Sequence, residues 1–169
     1  MENLTDLETF KRLGLAMAAG LVLGLEREHA DKPAGVRTFM LVCEGAALFM
    51  MCGLLLSNQL ATVGRISDPG RIASTVIQGI GFIAAGVILT RGTQIVGLTT
   101  AAGIWVTAAI GLLLGAGFTT LGIGATVITV ISLYLLRNIG RRLGDARPAD
   151  SPHSDSHDRF DVVQGHHDS

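Results

Sequence analysis

Residues 24–38 read GLEREHADKPAGVRT, and seven of these fifteen side chains are charged or histidine: Glu26, Arg27, Glu28, His29, Asp31, Lys32 and Arg37. Apolar runs flank them on both sides, LGLAMAAGLVL before and FMLVCEGAALFMMCGLLL after. Two chemistries compete for such a cluster. Solvated charges at a membrane edge fix topology, but acidic residues contribute little to that. Two carboxylates, Glu26 and Glu28, in that position point instead to ion pairs or cation coordination. Mg²⁺ is typically held by one or two carboxylates with several waters retained. No spacing here is diagnostic of a metal, so metal binding stays open and no cofactor is called for.

Glu44 is the one acidic residue well inside an apolar stretch. On a helix it lies two turns, roughly 10 Å, beyond Arg37. An intramembrane carboxylate is a functional candidate. The equal alternative is a structural partner for Arg37, Arg27 or Thr107. Asp68 and Arg71 are expected to form a helix cap and a one-turn ion pair. Thr75, Gln78, Thr99 and Thr100 either line an interior path or, as expected, hydrogen-bond between helices. His153, His157, His166 and His167 are spaced too irregularly for a metal site. The chain has no nucleophile elbow, phosphate-cradling glycine loop, HExxH or CxxC, so no enzyme is expected.

These residues are positioned by unusually apolar elements. Of the 169 residues 49% are hydrophobic and 16% charged, with a mean hydropathy of +0.48. An ordinary soluble domain carries about 25% charged residues. A net charge of −1 gives no basic field for nucleic acid. Residues 92–136 contain no Lys, Arg, Asp or Glu. A run of that length could hold two membrane spans. A cleaved leader is not expected, because Glu2, Asp6 and Glu8 precede Lys11-Arg12 and the first apolar run ends in Glu-Arg-Glu. Cys43 and Cys52, roughly 13 Å apart on one helix, cannot bridge.

The sequence therefore predicts an all-α integral membrane protein with five transmembrane helices. The spans run over about Leu7–Leu25, Gly35–Leu56, Pro69–Leu89, Gly97–Leu114 and Phe118–Leu136. They form a transmembrane domain over residues 1–136, followed by a polar, disordered cytoplasmic tail over 137–169. Lys11 and Arg12 would snorkel toward the interface. One side holds Arg27, Lys32, Arg37, Arg91, Arg137, Arg141, Arg142 and Arg147; the other holds Lys11, Arg12, Arg65 and Arg71. The richer side is expected to be cytoplasmic, with the N-terminus outside.

Ala16, Gly20 and Gly24 form consecutive small-xxx-small steps, and Gly111 and Gly115 form another. Such spacing lets helix backbones approach closely in lipid. A shift of 62 residues lays Gly24 on Gly86, Gly35 on Gly97, Thr38 on Thr100 and Ala46-Ala47 on Ala108-Ala109. This suggests parallel hairpins, spans one–two and three–four, with span five added. Chance matching of Gly and Ala is the alternative.

The segments GLVLGLEREHADKPAGVRTFMLVCEGAAL, DPGRIASTVIQGIGFIAAGVIL and GLTTAAGIWVTAAIGLLLGAG resemble, in order and over roughly residues 10–135, the MgtC/SapB family of bacterial membrane proteins. The resemblance implies a five-span inner-membrane protein. It also implies roles in growth at low magnesium, in acid or phosphate stress, and in survival of pathogens inside macrophages. Family members are called magnesium-transporter-associated, but the picture implied is regulatory, acting on other membrane machines such as the F-type ATP synthase. Glu26, Arg27, Glu28, Lys32, Gly35, Arg37 and Thr38 match the first motif. Asp68, Arg71, Gly79 and Gly81 match the second, and both glycines are counted with the packing positions. Gly97, Thr99, Thr100 and Trp105 match the third. Two departures stand out. Only a polar tail follows span five where MgtC proper carries an ACT-type domain, and Glu44 stands where a small or apolar residue is expected.

The function expected is that of a regulatory or stress-response protein linked to Mg²⁺ limitation, with a cation transporter or channel as the alternative. Expected partners are the lipid bilayer, other membrane proteins and a second copy of the chain. EREHADK, which has no charged counterpart under the 62-residue shift, is where function is expected to lie.

Overall fold

The computed structural model describes residues 6–91 and 94–144. Five helices dominate: α1 Asp6–His29, α2 Val36–Thr62, α3 Pro69–Ala85, α4 Leu98–Gly115 and α5 Thr119–Gly144. A short antiparallel hairpin joins α3 to α4, with β1 Leu89–Arg91 pairing β2 Gln94–Val96.

Three of the five helices, α2, α4 and α5, are long and apolar enough to cross a membrane. The chain is a membrane protein on that count. The other two fall short for different reasons. The uncharged stretch of α1 runs only from Leu13 to Leu25, between Arg12 and Glu26, about 20 Å of helix against a hydrocarbon core of about 30 Å. Helix α3 is apolar but has 17 residues, about 25 Å.

The third predicted span was drawn too long. Helix α3 stops at Ala85 and Leu89 already belongs to β1. The run VILTRGTQIV is rich in β-branched residues around a central Gly, which is a hairpin pattern. Its hydropathy disguises it as the end of a span. The last span agrees with the apolar part of α5, Thr119–Asn138, but the helix itself continues to Gly144. The start of the segment assigned to the tail is therefore helical. Residues 145–169, with all four tail histidines, lie outside the described residues.

Helix α4 is the centre of the bundle and touches all four other helices. Its sequence is apolar on every side, as an enclosed helix must be, and Ile104, Ala108, Ile110 and Leu114 are fully buried. Glycine sets how closely it sits on α2. A Cβ added at Gly115 would lie 2.5 Å from the Ala47 carbonyl oxygen, and one at Gly111 would strike the Cys43 carbonyl. Gly103 faces the Phe39 ring. Positions on the two helices rise together, so α2 and α4 run parallel. Helix α1 lies on α2 in the opposite sense. Added Cβ atoms would come within 2.6 Å of the Phe39 carbonyl at Gly20 and 2.5 Å of the Val36 Cα at Gly24.

Two of the six proposed packing glycines do not pack. Gly79 and Gly81 have open space where a Cβ would stand; both are exposed, on either side of Ile80, which is the residue of that turn that packs into the core. Of the threonines expected to bond between helices, Thr75 bonds within its own helix instead, as Thr107 and Thr126 also do, and Thr99 and Thr100 make no side-chain hydrogen bond among the described residues. Thr107 Oγ1 donates to the Gly103 carbonyl at 2.7 Å, Thr126 Oγ1 to Gly122 at 2.8 Å, and Thr75 Oγ1 to Arg71 at 2.9 Å. Each hydroxyl is thus satisfied within its own helix, at no cost to packing.

The two ends of the bundle differ. At one end Arg12 Nη1 donates to the Gly115 carbonyl at 3.2 Å and closes the C-terminus of α4. A guanidinium there complements both the free carbonyls and the helix dipole. Arg12 is thus committed to α4 and does not simply snorkel. At the other end lie the 26–38 segment, the β-hairpin and the α5 residues near Arg137.

Substituting Gly115 or Gly20 by valine forces helix backbones apart, and a loss of about 1–3 kcal/mol or more is expected. Gly79→Ala fills open space and leaves stability unchanged. Thermal unfolding of the purified protein in detergent distinguishes the two.

Candidate functional site

The turn from α1 to α2 is built by the charged residues themselves. Helix α1 ends at His29, and the chain reverses through Asp31, which has a left-handed φ of 51°. The Lys32 amide then donates back to the Arg27 carbonyl at 3.1 Å. Helix α2 begins after Gly35, which has no side chain to cap it. Glu28 supplies the cap from across the turn, its Oε2 accepting from the Val36 amide at 3.1 Å. A carboxylate at a helix N-terminus satisfies an orphan donor and complements the dipole. A Cβ at Gly35 would lie 2.8 Å from Glu28 Oε2, so a side chain there would push the capping carboxylate aside. One of the two loop carboxylates is therefore spent on structure.

Glu26 and Arg27 are the enclosed pair. Their side chains are only 10% and 3% exposed, and they form an ion pair with each other. Residues i and i+1 do not share a helix face, so both side chains must curl together to meet. Arg137 of α5 completes the cluster. Its Nη1 lies 4.0 Å from Glu26 Oε1, and its guanidinium stacks over the Tyr134 ring at 5.6 Å. Glu26 Oε1, Arg27 Nη1 and Arg137 Nε are each buried with no hydrogen-bond partner in the structure. The cluster holds two guanidinium groups and one carboxylate, so it is net cationic with unused donors. Buried charge of this kind is costly unless every group is paired.

Arg137 was missed as a site residue. It lies far from the loop in sequence and counted only toward orientation. A signal was present, since Tyr134 and Arg137 are three apart on a helix and so share a face.

The other candidates separate. Lys32, Thr99 and Thr100 meet at a cavity of about 650 Å³ between the 31–33 turn and the start of α4. Thr38 and Arg71 line a different, apolar groove of about 800 Å³ between α2 and α3. Asp68 caps α3, its Oδ1 accepting from the Gly70 amide at 2.8 Å. Its expected ion pair with Arg71 does not form, because the cap turns the carboxylate toward the helix end. Glu44 is half-buried and has no hydrogen bond or ion pair among the described residues. None of its three expected partners reaches it, and Thr107 bonds Gly103 instead. Gln78 is exposed on α3 and likewise unpartnered. Both cysteines are free, Cys43 buried and Cys52 exposed. Among the described residues no group of three or more His, Cys, Asp or Glu could hold a metal ion.

Comparison with known proteins places this arrangement. The model of the MgtC family matches residues 13–142. YhiD of Escherichia coli K12, provisionally named a magnesium transporter, is 45% identical over 78% of this chain and 62% of its own length. SrpB of Synechococcus elongatus is 39% identical over 77% of this chain and 75% of its own. MgtC of Salmonella typhimurium is 39% identical over 76% of this chain and 52% of its own. The chain thus spans only part of the YhiD and MgtC sequences. No solved structure matches.

Neutralising the two loop carboxylates should have unequal effects. Glu26→Gln strands buried guanidinium groups and is expected to cost about 3–5 kcal/mol. Glu28→Ala removes a helix cap and costs about 0.5–2 kcal/mol, with hydrogen exchange faster at the Val36 amide. Equal losses in denaturation experiments would contradict this division of roles.

Proposed function

The chain belongs to the MgtC family, and on that premise we propose that it is a regulatory membrane protein of the MgtC/SapB type. In this reading it is linked to magnesium limitation and stress, acts by contact with other membrane proteins, and is not an enzyme. It resides in the bacterial inner membrane with all five helices crossing. The N-terminus lies outside, and the Glu26 end lies in the cytoplasm. Two features support five crossings. Arg12 is absorbed at the C-terminus of α4, which lowers the cost of placing α1 in lipid. Helix α3 needs only slight bilayer thinning. The parallel run of α2 and α4, the second helix of each proposed hairpin, is what a duplication requires. The copies pack differently, however: the counterpart of buried Gly20 is Phe82, which is 85% exposed.

One observation carries the regulatory reading, and it is the place of Glu44. Its carboxylate lies about 12 Å along α2 from the first helical residue. At 100° per residue it shares a stripe with Arg37, Leu41 and Leu48, all of them exposed. The seam of α1, α2 and α4 is closed backbone to backbone by glycine, so Glu44 does not open into it. A carboxylate facing outward within the membrane is costly unless something pairs with it. The stripe, with its four- and three-residue steps, is the shape a partner helix grips.

The provisional naming of YhiD keeps cation transport as the rival. Reconstituted vesicles decide between them. We expect no Mg²⁺, Na⁺ or proton flux from the purified chain, and co-purification of a membrane partner that Glu44→Gln weakens. A flux abolished by Glu44→Gln would make transport the function.

A further inference from the structure

The cavity at the start of α4 is a second feature, independent of the Glu44 stripe. Its walls come from the 31–33 turn, from Leu89 and Ile95 of the hairpin, and from Gly97 to Thr100. Its volume of about 650 Å³ is in the range of small-molecule sites.

The opening turn of an 18-residue helix forms one wall. Its N-cap is Gly97, held at a φ of 92°. A side chain at that position would be strained and would collide with the Val87 carbonyl. The position therefore requires glycine, and glycine has no oxygen with which to cap. The first amides of α4 accordingly have no side-chain acceptor, and the positive end of the helix dipole is left bare toward the cavity.

Thr100 supplies a separate observation. It is 1% exposed and lines the same cavity, yet its hydroxyl has no hydrogen-bond partner among the described residues. Thr107 and Thr126, by contrast, bond back to their own helix. The hydroxyl is not sealed in among the unpaired buried atoms, so an acceptor in the cavity would give it a partner. Thr99 adds an exposed hydroxyl beside it, and Lys32 an ammonium with no ion pair among the described residues. The opposing charge is Asp31, also on the rim.

We infer that this cavity binds a phosphate-bearing molecule, with the phosphate held by the first amides of α4, the Thr100 hydroxyl and Lys32. Bare amides at a helix N-terminus select an anion over a cation, and the local donors outnumber the one carboxylate. The space far exceeds a bare phosphate. Leu89, Ile95 and Leu98 would face the organic remainder. Two sources offer this chemistry at a membrane edge, a soluble phosphate ester and the headgroup of an anionic lipid. Asp31 sets the affinity from the unfavourable side.

Equilibrium dialysis of the full chain in nanodiscs tests this, using radiolabelled inorganic phosphate as the probe. One set of discs contains phosphatidylcholine only, and a second adds phosphatidic acid. Saturable phosphate binding in the neutral discs is expected. Its loss in the phosphatidic acid discs identifies the lipid headgroup as the source, and its persistence identifies the soluble ester. Lys32→Gln and Thr100→Val should each weaken binding roughly tenfold, the value of one charge-assisted hydrogen bond. Asp31→Asn keeps a residue that tolerates left-handed φ and should tighten binding several-fold. Lys32 and Asp31 are exposed, so those two variants report even where Thr100→Val fails to fold. Absence of saturable binding in both kinds of disc overturns the inference, as does binding indifferent to Lys32→Gln and Asp31→Asn.

Discussion

The close approach of α1 and α4 to α2 is the constraint from which the remainder of the bundle follows. In lipid there is no hydrophobic gain from bringing helices together, so association rests on contact area and on how near the backbones come. Here Gly20 and Gly24 seat α1 on one side of α2, while Gly111 and Gly115 seat α4 on another. Each contact meets backbone atoms of α2, which cannot yield as a flexible side chain would. Helix α2 is thus gripped along its N-terminal part, from Val36 to Ala47, and α3 and α5 pack around the resulting triple. Closing the seam in this way leaves Glu44 half-buried and without a partner among the described residues.

That same closeness brings charges together at one end. The α1–α2 turn is short because Gly24 lets α1 meet Val36 directly. Glu28 is then near enough to cap α2, and Glu26 and Arg27 are drawn under cover beside α5. The three orphaned atoms on Glu26, Arg27 and Arg137 are the cost of assembling this end. Only one of these charges comes from α5, and it is held at 4.0 Å, so the link between α1 and α5 is the weakest part of the cluster. Two kinds of charge lie side by side here: Glu28 holds a helix, while Lys32 lines an open cavity.

The membrane class, the helix order and the glycine seams were legible because they depend on local composition and on spacing along one helix. The cap at Asp68 was legible for the same reason. The hairpin at 89–96 was not, because its β-branched residues are as hydrophobic as a span. Gly79 and Gly81 misled because spacing says where a small residue is, not whether a neighbour comes to it. The expected partners of Glu44 failed because a shared depth does not guarantee a shared face.

What the sequence determined by itself is therefore one-dimensional: which stretches are apolar, where helices start, and which residues repeat along a face. The tertiary structure alone decided which charges meet. It brought Arg137 to Glu26 across more than a hundred residues of chain, sent Glu28 to the Val36 amide, and left Thr100 and Glu44 without partners. Local propensity acts over a few residues, whereas pairing of buried charge depends on distances of a few ångströms between helices remote in sequence, and those distances exist only once the glycine seams have closed.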